Sequence, residues 1–184
     1  MRSISTMIVA AVMVMVASAQ PNVVNQRKEN QQDRIGQGIK SGQLTAGETG
    51  NLETKEAAIN QEVHTDRTLN GGKLTGQEKQ TVNQQQNQVS KQIYADKHNS
   101  VTRPPATTEV GARRVNQQNR IANGVASGKL TAGQTARLEK GETANNKEVK
   151  TDRTANGGTL TAAQKKQVNQ QQNQMSGKIY QAKH

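Results

Sequence analysis

Most of the chain is written twice. Residues 24–98 recur as residues 110–184 at a constant offset of 86, and from Gln31/Gln117 to His98/His184 roughly 60% of positions are identical. Identical blocks include Thr65-Asp66-Arg67-Thr68, Asn70-Gly71-Gly72, Val82 to Gln88 and Ile93-Tyr94. A repeat without gaps restricts the fold to one supersecondary unit used twice, and it makes each copy a reference for the other.

Each copy contains two similar turns. Ser41-Gly42-Gln43-Leu44-Thr45 is followed by Glu48, and Asn70-Gly71-Gly72-Lys73-Leu74-Thr75 is followed by Glu78. Thr with Glu three residues later is a capping box, in which hydroxyl and carboxylate each satisfy a free donor at a helix start. The preceding Gly suits the left-handed end of the helix before it. These turns predict three helices per copy, at about 25–40, 46–69 and 76–97, repeated at about 111–126, 132–155 and 162–183. Leu52, Ile59 and Val63 fall on one face of the second helix, and Val82, Val89 and Ile93 on one face of the third. The second copy keeps Leu138, Val149, Val168, Met175 and Ile179 but places Asn145 at the Ile59 position, which predicts a weaker core. Leu44 and Leu74 are expected to staple adjacent helices, and Ile93-Tyr94 and Ile179-Tyr180 to close each core. The fold class is therefore all-α: a tandem duplication, each copy a three-helix antiparallel array with short Gly-x-Leu-Thr turns. Between the copies, Asn99–Glu109 carries Pro104-Pro105, which predicts an extended spacer separating two independent modules.

The segments Gly42-Gln43-Leu44-Thr45-Ala46-Gly47-Glu48 and Gly72-Lys73-Leu74-Thr75-Gly76-Gln77-Glu78 resemble the second half of an EF-hand loop. The pattern is similar to small secreted bacterial proteins with EF-hand-like G-x-L-T-x-x-E helical repeats. That resemblance implies a calcium-binding or calcium-responsive protein, with Asp66, Asn70 and Glu78 as the candidate ligands. The first half of each loop departs from it. Counting back from Glu78, the first, third and fifth ligand positions hold Arg67, Leu69 and Gly71, whereas calcium needs several oxygen ligands. In the second copy the terminal Glu becomes Gln134 and Gln164. Helix capping is the reading the residues favour, and no cofactor is expected.

Residues 1–19 read as a secretory signal: Arg2, an apolar run from Met7 to Val16, then Ala17-Ser18-Ala19 as a cleavage site. Residues 20–23 form a short N-terminal segment. The apolar run is too short for a membrane-spanning helix, which needs about 20 residues. A periplasmic or extracellular protein is expected, with no transmembrane segment after cleavage. Cysteine is absent, and Phe and Trp are absent too. Leu, Ile and Val make up about 15% of the chain beyond the signal, a level associated with disorder. The regular apolar spacing argues instead for thin helical modules.

Charge distinguishes the copies. The first has ten Lys/Arg against nine Asp/Glu, a net of +1, and the second has thirteen against four, a net of +9. Acidic Glu29, Asp33, Glu48, Glu78 and Asp96 are replaced by Val115, Asn119, Gln134, Gln164 and Ala182. The candidate binding residues are the cations of this basic half: Arg113, Arg114, Arg120, Arg137, Lys140, Lys147, Lys150, Arg153, Lys165, Lys166 and Lys178. They would attract a polyanion over long range. With so few aromatics to stack on bases, an anionic envelope or extracellular polymer is the expected partner. The near-neutral first half is expected to contact a protein or to stiffen the array, and self-association is left open.

No nucleophile elbow, phosphate loop or zinc motif occurs, so no enzyme is expected. Asp66-Arg67 and Asp152-Arg153 are adjacent on a helix and point apart, which suits surface pairs better than a catalytic pair. His64, His98 and His184 lack metal-ligand spacing. The V-N-Q-Q-Q-N-Q tract at 82–88 and 168–174 reads as a polar helix face with capacity for lateral amide contacts.

Overall fold

A computed structural model describes residues 22–184, and the expected signal over residues 1–19 lies outside the described residues. Six helices fill this span: α1 (Asn22–Ser41), α2 (Ala46–Leu69), α3 (Gly76–His98), α4 (Glu109–Ala126), α5 (Ala132–Ala155) and α6 (Ala162–Lys183). Among the described residues there is no strand, so the chain is all-α.

The threonines set the helix starts. Thr45 N–H donates to Glu48 Oε2 at 2.8 Å while Glu48 N–H donates to Thr45 Oγ1 at 3.3 Å, and Thr75 with Glu78 repeats the pair. In the second copy Gln134 and Gln164 accept from Thr131 and Thr161 N–H, each at 2.9 Å. Replacing Glu by Gln thus removes charge and keeps the cap. At the helix ends before these turns the chain turns left-handed at Gly42 (φ 78°) and Gly72 (φ 87°). Leu44 folds back onto α1 so closely that a Cβ on Gly38 would lie 2.6 Å from its Cδ1, and Leu130 over Gly124 does the same. These two glycines are required by the leucine staples.

Every apolar position expected in the core is buried, from Leu52, Ile59 and Val63 to Val168, Met175 and Ile179. Few as they are, they leave gaps that amide side chains fill. Gln31 Nε2, 2% exposed, donates to Gln86 O at 2.7 Å and to Ser90 Oγ at 3.2 Å, and Gln86 Nε2 donates to Val24 O at 2.9 Å. The second copy repeats this with Gln117 to Gln172 O and Ser176 Oγ, and Gln172 to Val110 O. The glutamine tract is therefore an interhelical seam, tying α3 to α1 and α6 to α4. Each such bond contributes about 1 kcal/mol net, and much more is lost if one partner is left buried alone.

The expectation of two independent modules does not hold. Helix α2 packs most extensively on α5, and α1 on α4. One apolar cluster runs from Ile35, Ile39 and Leu52 through Ile121, Val125, Leu138 and Ile179. Neither copy has enough apolar side chains of its own, so each covers the other's remaining face. Gly47 faces Thr143, Gly50 faces Glu139 and Gly133 faces Ala57, which makes α2 and α5 antiparallel at close range. Asn145 has the effect its polarity predicts. Val149, Leu160 and Val168 form a separate cluster, whereas Val63, Leu74 and Val82, their first-copy counterparts, join the main core with Ile59.

Two further expectations are corrected. The Pro-Pro segment is a strap against the fold rather than a free spacer. Arg103 N–H donates to Gly42 O at 2.9 Å, Asn99 Nδ2 to Glu48 Oε1 at 2.7 Å, and Arg114 to Pro104 O at 2.9 Å. Tyr94 and Tyr180 do not close the core. Ile93 and Ile179 are fully buried, and the next residue points a quarter-turn or more away, so the phenols are exposed and stack on His98 and His184.

Gly36 offers a test of the joined halves, because a Cβ there would meet Ala122 O at 3.4 Å and Ala126 Cβ at 3.5 Å across the α1–α4 contact, whereas Gly177 faces open space. Both sites gain similar helix propensity on substitution. Urea unfolding should find Gly36→Leu less stable than Gly177→Leu by about 1–3 kcal/mol, the usual cost of overpacking.

Candidate anion-binding cleft and a buried carboxyl cluster

Lys147, Lys150 and Arg153 follow one another at three-residue steps on α5 and so share a face. Opposite them stands Arg114 on α4, and Arg103 comes from the strap. Together with Thr45–Gly47 at the start of α2 they enclose a cleft of about 750 Å3. Pro104, Pro105, Ala46 and Val149 supply apolar wall, and Gln118, 2% exposed, also lines it. Among the described residues no carboxylate, imidazole or thiol lines it.

The three guanidiniums are held by neutral acceptors. Arg103 donates to Ile39 O at 3.2 Å, Arg114 to Pro104 O at 2.9 Å and Arg153 to Thr108 Oγ1 at 3.1 Å. Arg114 Nε is buried without a partner. Burial lowers the pKa of Arg114, and repulsion from Arg103 and Arg153 lowers it further, against attraction from Glu142. Burial likewise lowers that of Arg103, opposed by Glu139. The cleft concentrates positive charge whose nearest opposing groups are buried carboxyls.

Of the eleven cations expected to bind anions, Arg114, Lys147, Lys150 and Arg153 meet in this cleft. Lys165 lies in an adjoining hollow that shares Arg153. Arg113 and Arg120 are engaged elsewhere: Arg113 bonds Asn169 and Asn173, and Arg120 bonds Ser176 O, as Arg27 and Arg34 bond Asn87 and Ser90 in the first copy. They are helix-pairing residues. Arg137, Lys140, Lys166 and Lys178 are exposed but do not line the cleft. Arg103 was not legible as a site residue, because only the fold brings the strap against α4.

Beneath the cleft, α2 and α5 bury four carboxyl side chains: Glu53, Glu56 and Glu139 at 0% exposure and Glu142 at 1%. Gln32 Nε2 donates to Glu53 Oε2 at 3.0 Å, and Gln118 Nε2 to Glu139 Oε2 at 2.8 Å, so the cleft residue Gln118 also holds the carboxyl cluster. Burial raises Glu53 to about 8, helped by Glu56 and opposed by the Gln32 bond. Burial raises Glu56 and Glu142 to about 7 each. Glu139 is pushed well above the usual range, by burial first and then by Glu142 and Glu53. The sequence carried a signal of these four. The second copy retains only four acidic residues, Glu139, Glu142, Glu148 and Asp152, and all four match acidic residues of the first. Two of those matched pairs are buried here. Glu62 and Glu148 accept from Gln85 and Gln171 across neighbouring helices.

Two of the candidate calcium ligands, Asn70 and Glu78, bond each other. Glu78 accepts Thr75 N–H at 2.7 Å and the Asn70 amide at 2.8 and 3.0 Å, which lowers its pKa chiefly through the backbone bond. The main-chain carbonyl of Asp66 accepts Asn70 N–H at 2.9 Å, which ends α2 and does not involve the carboxylate. Among the described residues no three His, Asp or Glu side chains gather as a metal would require. His98 and His184 each donate to a tyrosine carbonyl one turn back, and His64 is exposed. No family model matches the chain, and no curated protein or solved structure is detectably similar to it.

Carboxyls that hold protons more tightly in the folded state favour folding below their ordinary pKa of 4.5, and that contribution is lost as pH rises through 7 and 8. At about 1.4 kcal/mol per pKa unit, the cluster should make the chain several kcal/mol less stable at alkaline than at acid pH. Thermal melts from pH 5 to pH 9 should show this fall, and Glu53→Gln with Glu139→Gln should flatten it.

Proposed function

We propose that this chain is an exported, non-enzymatic helical binding protein, built from a duplicated three-helix antiparallel unit over 24–98 and 110–184, whose basic second half contacts anionic envelope or extracellular polymers. The observation that carries the reading is the convergence of Arg103, Arg114, Lys147, Lys150 and Arg153 on one open cleft. A concave, partly apolar surface lined by charge of one sign focuses the field and raises the local concentration of the opposite charge. Exposed Lys140, Lys166 and Lys178 extend the positive surface beyond the cleft.

Periplasmic or extracellular residence is supported by the leader pattern ending at Ala17-Ser18-Ala19. Among the described residues no helix is long and apolar enough to cross a membrane. The first half, electrically balanced, serves in this reading as the scaffold that completes the core and holds the strap through Gly42 O and Ile39 O.

Heparin affinity chromatography tests this reading. The full chain should be retained and should elute with rising salt, since exposed ionic contacts are screened. Replacing Lys147, Lys150 and Arg153 by Gln should lower the eluting salt more than replacing Lys140, Lys166 and Lys178, which removes equal charge away from the cleft. Equal losses would reduce the attraction to net charge, and no retention would remove the reading.

A further inference from the structure

We propose that the cleft is a site for one small amphiphilic oxyanion, a hydrocarbon chain bearing a carboxylate or phosphate head, and not only a charged stretch of polymer-binding surface. The proposal rests on the reading of the second half as anion-binding and narrows it to a ligand class. Three observations carry it: the arrangement of donors, the character of the walls, and a comparison inside the molecule.

Arg114 is close enough to Arg103 and Arg153 to be repelled by both, yet each of the three is anchored through a carbonyl or hydroxyl oxygen. Such anchoring fixes the groups in place while leaving their charge unneutralised. A planar guanidinium then offers forked donors to an oxyanion. Arg103, Arg114 and Arg153 line the cleft together with Lys147 and Lys150. A tetrahedral or carboxylate head would satisfy the guanidiniums.

Charge alone does not describe the cleft. Pro104 and Pro105 form one wall, and Val149 and Ala46 contribute to the others. A volume of about 750 Å3 falls in the range of sites that enclose most of a small molecule. A linear polymer crossing the surface would meet exposed lysines without needing such a recess. A hydrocarbon chain would fill it.

The first copy supplies the comparison. At the offset of 86 an equivalent hollow exists, with Gln32 in place of Gln118, Asn60 in place of Asn146 and Thr131 in place of Thr45. It measures about 450 Å3, and Lys28 there is accompanied by Glu29 and Asp33. Where that copy has Gln61 and His64, the second has Lys147 and Lys150. The two equivalent hollows thus differ in sign: the smaller has one lysine against two acids, and the charged residues lining the larger are cations alone. Lys147 and Lys150, absent as charges from the first copy, both line the larger cleft.

Isothermal titration calorimetry of the full chain with octyl phosphate, inorganic phosphate and octanol tests the proposal. Octyl phosphate below its micellar concentration should bind with one-to-one stoichiometry and about tenfold or more tighter than inorganic phosphate, because part of its chain leaves water, while octanol should show no comparable binding. Arg153→Gln should weaken octyl phosphate about tenfold through loss of charge-assisted bonds, and Lys150→Gln, at an exposed position, should weaken it without altering the melting curve. Lys166→Gln with Lys178→Gln should leave it unchanged. Octyl phosphate binding no tighter than inorganic phosphate, octanol binding equally, or indifference to both Arg153→Gln and Lys150→Gln would each overturn the proposal. Retention on heparin despite such a failure would leave the polymer reading intact, and octyl phosphate binding without heparin retention would do the reverse. If octyl phosphate binds as expected, its displacement by phosphatidic acid vesicles assigns the head to a lipid, and its persistence assigns it to a free amphiphile; both support the site.

Discussion

Helices this poor in apolar side chains can associate only if they bury polar groups between them, and the rest of the structure follows from how those groups are satisfied. A buried amide or carboxyl without partners costs more than most single apolar contacts return. Gln31, Gln86, Gln117 and Gln172 meet part of the cost by donating to backbone carbonyls or serine hydroxyls of the helix alongside, while among the described residues their Oε1 atoms stay buried without a partner. Glu53 and Glu139 each take one glutamine donor, and burial raises the pKa of both. The directional bonds also fix the register of each helix pair, which a smooth strip of leucines would leave less defined.

The same constraint makes the duplication cooperative. Each copy offers a face that its own three helices do not cover, and the other copy covers it through α2 against α5 and α1 against α4. At those contacts Gly36, Gly50 and Gly133 permit backbones to approach. Once the halves are locked, the connection between them no longer needs to be a spacer. It lies along the seam as a strap, and its Arg103, Pro104 and Pro105 become wall and donor of the cleft. The cleft is thus a consequence of packing the two halves together, since α2, the strap, α4 and α5 all line it.

Local structure was legible in the sequence because its causes are local. Thr45, Thr75, Thr131 and Thr161 with their residue three places on announce helix starts, and all six expected helices form within a few residues of the expected bounds. The apolar positions at helical spacing are all buried. What escaped was set by contacts between distant segments. Nothing near Pro104 indicates that Arg114 will hold its carbonyl, and nothing in Glu53 distinguishes a buried acid from an exposed one. The comparison of copies could have marked the acids, because Glu53, Glu56, Glu62 and Asp66 keep their charge in a half that loses the other five. Of the candidate cations, those at α5 positions 147, 150 and 153 were legible as a face, whereas Arg113 and Arg120 were indistinguishable from them until their partners on α6 were known.

The antiparallel union of α2 and α5 is the claim on which the strap, the carboxyl cluster and the cleft all depend. A Cβ on Gly133 would stand 3.9 Å from Ala57 Cβ, within the separation a disulfide spans, and the chain has no cysteine of its own. Ala57→Cys with Gly133→Cys, oxidised at low protein concentration, should therefore form an intramolecular disulfide, seen as a monomer of altered mobility on non-reducing gels, with helicity unchanged. Thiols that stay free, or that link only between molecules, would contradict the joined architecture.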